Sequence, residues 1–346
     1  MADAAGEDEA LMREAMAAAM EVRGRTSPNP WVGCVIVPEG DGPVAVGATQ
    51  PPGGLHAEAV ALALAGDSAK GSTVYVTLEP CCHHGRTPPC ADALIDAGVR
   101  RVVIGVEDPD PLVRGRGVSR LRDAAVDVDV GVCRQAIADQ LAPYLKHRAT
   151  GRPWVVLKLA ASLDGRTAAP DGSSRWITGP LARADAHRLR AESDAVLVGA
   201  GTVRIDDPAL TVRDVPGHRR RQPLRVVLGS APPGARIHPA LELFGDLPGV
   251  LQELGGRGVV QLLVEGGPTV AHQFHRAGLV DRYVLYLAPA LFGGDDAKPA
   301  FSGPAAAGIG DLWRGRVVSV QQLGPDLRVE LAAAEQPEES GVYRDR

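Results

Sequence analysis

The chain has 346 residues, 45% of them apolar and 23% charged, and a net charge of −5. At roughly 150 residues per domain this length predicts two domains, each able to bury its own core. The acidic balance argues against a general affinity for nucleic acid, which needs clustered Lys and Arg, but not against one local anion pocket. No apolar run approaches the roughly 20 residues that span a bilayer, so no membrane partner is expected. The start, MADAAGEDEA, lacks the basic-then-apolar order of a secretory leader, which makes the cytoplasm the expected compartment.

Residues 9–22 carry apolar and small side chains at helical spacing. NPWVGCVIV then reads as a buried strand and PVAVGAT as its hairpin partner. HAEAVALALAG is a short helix, STVYVTLEP a strand stopped by proline, ADALIDAG a helix stopped by glycine, and RVVIGV a strand. A helix near 116–125, a strand near 126–132 and a connecting helix over 134–150 complete the first half. The second half repeats the alternation with different sequence. It runs through WVVLKLA, the helix ARADAHRLRAE, the strands AVLVGA and LRVVLG, the strand VVQLLVEGG and the helix PTVAHQFHRAG. Strands near 282–289, 316–323 and 327–332 close it. Alternating strands and helices predict two α/β domains, 1–147 and 148–335, followed by a polar, mobile tail, 336–346.

Five cysteines, three of them within ten residues, do not suggest a disulfide framework; in a reducing compartment such a cluster more often marks a metal site. Cys34, inside VGCVIV, and Cys133, after a strand-like segment, read as buried core residues. His56-Ala57-Glu58 opens a helix, Cys81 ends a strand and Cys90 opens the next helix. Zinc deaminases of nucleobases use one His and two Cys as ligands, with a Glu in H-x-E that is not a ligand. Three protein ligands leave the fourth tetrahedral position open for a water, and the metal lowers the pKa of that water to about 7. Glu58, two residues from His56, is placed to move protons between that water, the ring nitrogen and the leaving amine. Taken singly, H-x-E or a cysteine pair is weak; each piece standing where strand meets helix makes the set specific. Cys82 is a competing ligand by proximity, but neighbouring side chains at a strand end diverge, which favours Cys81 and Cys90.

Eight residues, CHHGRTPP, separate Cys81 from Cys90, where the common deaminase signature has two. They bring His83, His84 and Arg86 beside the metal; these read either as a polar loop or as a pocket for a phosphorylated substrate, since Arg binds phosphate bidentately. Asn29, held between two prolines, offers an amide able to pair with a pyrimidine edge. In the second half, VEGGPT at 264–269 and GAGTV at 199–203 read as Gly-rich turns after strands, suited to a phosphate but lacking the G-x-G-x-x-G fingerprint. Lys158, Asp206, Arg213 and Glu265 are charges set in apolar surroundings or at strand ends, where a ligand crevice or a structural ion pair would use them.

PNPWVGCVIV, HAE and EPCCHHGRTPPC resemble the deaminase half of the bifunctional riboflavin-biosynthesis deaminase–reductase family. KLAASLDGRTA, GSSRWIT, VGAGTVRIDDPALTVR, LLVEGGPT and APALFGG are similar to its reductase half, in the family's order. The resemblance implies a cytidine-deaminase-like α/β/α domain followed by a dihydrofolate-reductase-like α/β domain. It implies Zn²⁺ and NADPH as cofactors. The implied substrate is 2,5-diamino-6-ribosylamino-4(3H)-pyrimidinone 5′-phosphate, deaminated and then reduced at its ribosyl chain to 5-amino-6-ribitylamino-uracil 5′-phosphate. Carried over, Asn29, His83 and Arg86 fall on substrate positions of the first site. Ser174, Arg190, Leu210, Arg213 and Glu265 fall on substrate positions of the second, and Lys158 lies near the reacting carbon. Ala160, Trp176, Thr202 and Asp206 fall on NADPH positions, with Gly267, Pro268, Thr269, Val270, Ala271, His272 and Gln273. The stretch 231–258 is short for the family, and only ALELFG is available for the extra strand that relatives carry there.

Three other readings stand beside this one: a deaminase whose short segment impairs the reductase, a nucleic-acid base deaminase with an accessory domain, and a non-catalytic protein with structural zinc. The acidic charge counts against the second, and the third requires four protein ligands. A small phosphorylated pyrimidine is the expected partner, and a homo-oligomer remains compatible with the sequence.

Overall fold

The structure is a computed structural model that describes residues 2–82, 88–215 and 222–334. The described chain divides into two compact units, one of residues 2–82 and 88–154 with Leu251–Gln261, the other of residues 155–215, 222–250 and 262–334.

In the first unit α1 (Ala2–Glu21) leads into β1 (Gly33–Val37), β2 (Ala45–Ala48), α2 (Ala57–Ala65) and β3 (Thr73–Leu78). Then come α3 (Cys90–Asp96), β4 (Arg101–Val106), α4 (Arg116–Asp123), β5 (Asp127–Val130) and α5 (Arg134–Thr150). The sheet order is β2-β1-β3-β4-β5, with β1 antiparallel to both neighbours and β3, β4 and β5 parallel. β1, β3 and β4 are covered on both faces, so their sequences are continuous apolar runs rather than alternating ones. Gly33 meets the backbone of α1 at Ala15, and Gly47 meets α2 at Ala57 and Ala61. Gly33 pairs with Ala48 while Gly47 pairs with Cys34, so the two glycines lie on opposite faces and the two helices cover opposite sides. Gln140 of α5 donates to the Met16 carbonyl at 3.1 Å, which places α5 on the α1 side, and α3 packs beside α2. The result is the expected α/β/α layering. Cys34 is fully buried, but Cys133 is not a core residue. It is half-buried, adopts a left-handed φ of 55° and caps the start of α5.

The rest of the chain adds β6 (Trp154–Ser162), β7 (Arg166–Ala168), α6 (Pro180–Ala191), β8 (Ala195–Gly199), α7 (Ala200–Asp206), β9 (Leu224–Leu228) and β10 (Leu241–Leu243). It continues with α8 (Leu247–Gly256), β11 (Gln261–Val264), α9 (Pro268–Arg276), β12 (Arg282–Ala288), β13 (Lys298–Pro299), β14 (Gly315–Leu323) and β15 (Asp326–Ala333). The main sheet is eight-stranded, in the order β10-β9-β8-β11-β6-β12-β15-β14. β6 and β12 are parallel, and β15 runs antiparallel to both β12 and β14. ALELFG does supply a strand: β10 pairs in parallel with β9 at the sheet edge. GAGTV is not a turn but the first turn of α7, because Gly199 is extended and the helix starts at Ala200. α6 is pinned to the sheet by Asp185, which accepts from the Tyr286 hydroxyl at 2.6 Å and pairs with Arg328 at 2.8 Å.

Candidate active site

His56 is the N-cap of α2 and Glu58 its second residue; Cys81 follows β3, and Cys90 is the first residue of α3. A strand end and two helix starts thus bring together the His56 Nδ1 and the two cysteine sulfurs, all within 4.8 Å of one another. The imidazole Nδ1 lies 3.6 Å from Cys81 Sγ and 3.3 Å from Cys90 Sγ. Tetrahedral zinc with one nitrogen and one sulfur at their usual bond lengths separates them by about 3.6 Å, so the trio fits that metal. Cys82 is outside the trio: its sulfur points to the Leu112 carbonyl at 3.6 Å.

The electrostatics of the trio also suit a cation. Cys81 is held well below the usual thiol range, first by the Cys90 hydrogen bond and then by His56, and its sulfur also accepts from the Cys90 backbone N–H at 3.3 Å. The Cys81 hydrogen bond, then burial, push Cys90 up, and a bound dication would favour the thiolate at both. Glu58 is buried, and its carboxyl is pushed up to about 7, by burial first and then by the Cys81 charge.

His56, Glu58 and Cys81 line a cavity of about 580 Å³, together with Asn29, Thr49, Asp108, Asp110, Leu112 and Val113. Tyr144 and Arg148 also line it; their local sequence, like that of Asp108 and Asp110, carries no motif that marks a site. Asp108 is buried and accepts from the Tyr144 hydroxyl at 2.9 Å; burial pushes its carboxyl up. Two expected residues of this site, His83 and Arg86, lie outside the described residues, as does the tail 336–346.

The second unit holds a cavity of about 500 Å³ lined by Lys158, Arg190, Leu210 and Arg213, expected beside the substrate, and by Trp176, expected on an NADPH position, together with Arg175, Arg183, His187, Asp207 and Arg236. Glu265 organises the cations at its edge. Arg190 donates to both of its oxygens, at 2.5 and 2.9 Å, and Lys158 lies 3.7 Å away. Burial alone would raise the Glu265 carboxyl, but the charges of Arg190 and Lys158 hold it down at about 2. Arg213 donates its backbone N–H to His187 Nδ1 at 3.3 Å, and burial, then Arg190 and Arg213, lower the His187 pKa. Arg183 stacks over Trp176, 4.6 Å from the ring centroid. The remaining cations leave the cavity strongly suited to an anion.

The other expected residues gather elsewhere in this unit. Gly267 caps α9, Pro268 opens it, and Thr269, Val270, Ala271, His272 and Gln273 form its first turns. The Gly267 N–H donates to the Thr202 hydroxyl of α7 at 3.2 Å, which joins the two helix starts. Asp206 ends α7, and its carbonyl accepts from Arg175 at 2.7 Å. Ala160 pairs with Tyr286 in the sheet. Neither Ser174 nor Ala160, Thr202 or Asp206 lines the anion-suited cavity.

Residues 5–106 match the family described as the cytidine and deoxycytidylate deaminase zinc-binding region, and residues 153–329 match the RibD C-terminal domain. Over 368 aligned residues the chain is 40% identical to riboflavin biosynthesis protein RibD of Escherichia coli K12, covering 95% of this chain and 100% of that one. It is 45% identical to the RibD of Mycobacterium tuberculosis H37Rv, covering 92% and 97%. The chain belongs to the RibD family. A solved Acinetobacter baumannii RibD superposes with a TM-score of 0.90 at 38% identity, covering 96% of this chain and 100% of that one. A Thermotoga maritima protein, described as a diaminohydroxyphosphoribosylaminopyrimidine deaminase/5-amino-6-(5-phosphoribosylamino)uracil reductase, superposes with a TM-score of 0.85 at 32% identity, covering 95% and 99%. As a RibD, the chain is a bifunctional enzyme of riboflavin biosynthesis, a zinc deaminase joined to an NADPH-dependent reductase. Among the described residues no helix is long and apolar enough to cross a membrane.

Proposed function

We propose that His56, Cys81 and Cys90 hold the zinc and that Glu58 moves the protons of deamination on 2,5-diamino-6-ribosylamino-4(3H)-pyrimidinone 5′-phosphate. The carrying observation is the trio's spacing, with the buried Glu58 on the same cavity. Zinc, when bound, supplies a Lewis acid that ionises water near neutral pH. Glu58, shielded from solvent, accepts a proton at its carboxylate and returns it to the ring nitrogen and then to the leaving amine. Asn29 reaches the same cavity and orients the pyrimidine through its amide. His83 and Arg86 belong to this reading as phosphate contacts, by resemblance alone. The chain segments assigned are 1–147 for deamination and 148–335 for reduction.

In the second cavity Lys158 stands beside the reacting carbon, with Glu265 fixing its position and that of Arg190. Arg213 binds the substrate phosphate with Leu210 on the same cavity, and a surplus of guanidinium groups supports that reading. Arg190, held by Glu265, and Ser174 belong to it as substrate contacts, Ser174 by resemblance alone. NADPH supplies the hydride when bound. Ala160, Trp176, Thr202, Asp206 and the Gly267–Gln273 stretch hold it, and the linked starts of α7 and α9 support that placement. The small phosphorylated pyrimidine is the partner. No basic stripe is needed, and the compartment assigned is the cytoplasm.

The test uses purified full-length protein with the diamino substrate and NADPH, following ammonia release and NADPH oxidation together. The wild type is expected to do both. Lys158→Ala is expected to stop NADPH oxidation and leave ammonia release intact; loss of both would refute the assignment of Lys158 to the second site alone.

A further inference from the structure

We infer that Glu79 is a positioning residue for deamination. Its carboxylate is the strut that sets the substrate-facing loop 107–115 against the strand end carrying Cys81. The inference rests on the deaminase cavity assigned above.

Glu79 lies just past the end of β3, two residues before Cys81, and is 3% exposed. Its backbone N–H donates to the Val106 carbonyl at 2.9 Å, so its own main chain is fixed in the sheet. The side chain accepts four backbone N–H groups. Asp108 and Gly115 donate to Oε2 at 3.2 and 3.0 Å, and Gly117 and Val118 donate to Oε1 at 2.9 and 3.2 Å. The donors bracket one loop, Asp108 at its entry and the other three at its exit into α4. Between them the loop folds on itself: Leu112 N–H donates to Asp110 Oδ1 at 2.9 Å and Val113 N–H to the Asp110 carbonyl at 2.8 Å. It is therefore a small body held at both ends by one carboxylate.

That body lines the cavity through Asp108, Asp110, Leu112 and Val113, and the same cavity is lined by His56, Glu58 and Cys81. The seat of the loop therefore helps set the space a pyrimidine has beside His56 and Cys81. Buried amides that lose a partner cost the full desolvation penalty, so the loop has no equivalent seat away from Glu79. The contact is also close. A Cβ on Gly117 would collide with the Pro80 carbonyl oxygen, in the residue between Glu79 and Cys81.

Glu79→Gln keeps the shape but replaces one acceptor oxygen with a donor, which leaves one pair of amides without a partner. The expected result, in full-length protein, is one zinc per chain and NADPH oxidation of the deaminated substrate unchanged. The KM for ammonia release rises about tenfold or more, with kcat changed less. Gly117→Ala, with Glu79 intact, displaces the same loop end and is expected to raise KM in the same way; it decides alone if Glu79→Gln is insoluble. Unchanged KM in a soluble variant overturns the inference. So does loss of zinc from Glu79→Gln, which would make Glu79 a support of the metal site rather than of the loop. A wild type that binds zinc but releases no ammonia would instead sink the cavity assignment itself.

Discussion

Glu265 sits against Lys158 and Arg190 with His187 close by, so its charge is the counterweight of the reductase cavity. Its folded pKa, about 2, lies below the unfolded value near 4.3. A depressed carboxylate contributes stability that is present above the unfolded pKa and is lost as pH falls toward the folded one. The reductase half is therefore expected to lose stability, on the order of 3 kcal/mol, between about pH 4.5 and pH 2. Denaturant unfolding of wild type and Glu265→Gln at a series of pH values checks this; the variant, though less stable at neutral pH, should lack that slope. An equal slope in both would show that the group titrates without the two cations. At this scale the clustering of His56, Cys81 and Cys90 was legible because few residue types bind zinc and the spacing is restrictive. Glu79, Asp108 and Tyr144 were not, because they act through backbone amides or through each other across the fold, and nothing in the local sequence marks such partners. Cys133 was misread for the same reason: an apolar residue after a strand does not announce a left-handed cap.

The starts of α7 and α9 meet at the Thr202–Gly267 hydrogen bond, and Val270 fills the space between them. A Cβ on Gly266 would lie 2.6 Å from Val270 Cβ, and one on Gly199 would lie 2.8 Å from Val270 Cγ2, so both glycines are there for close approach. Gly266→Ala should force the helix start outward at a cost of about 1–3 kcal/mol. If this start holds NADPH, the affinity for NADPH measured by titration falls about tenfold, a loss near 1.4 kcal/mol, while ammonia release is unaffected; unchanged affinity would place the cofactor elsewhere. Most elements were legible because apolar periodicity follows burial: β1 and β3 read as continuous runs, and α9 as an amphipathic one. α8 escaped because LPGVLQELGG carries a proline and three glycines within ten residues, which mask its Val250, Leu251 and Leu254 buried face. β7 and β13 escaped because they are a three-residue and a two-residue strand paired only with each other.

At the scale of the molecule, each unit has its own sheet, its own cavity and its own set of charges. The first cavity mixes acidic groups with His56 and Cys81 of the trio, whereas the second is rich in guanidinium groups. The two chemistries of a RibD need different electrostatics, and each unit supplies its own. The order of the two halves was legible from motif order alone. The most direct test of the central claim is one measurement set on Glu58→Ala: zinc per chain, ammonia release, and NADPH oxidation with substrate already deaminated. One zinc, ammonia release reduced at least about 100-fold, and NADPH oxidation at the wild-type rate are expected. Loss of the zinc would make Glu58 a ligand, and retained ammonia release would remove it from the chemistry; either result contradicts the account.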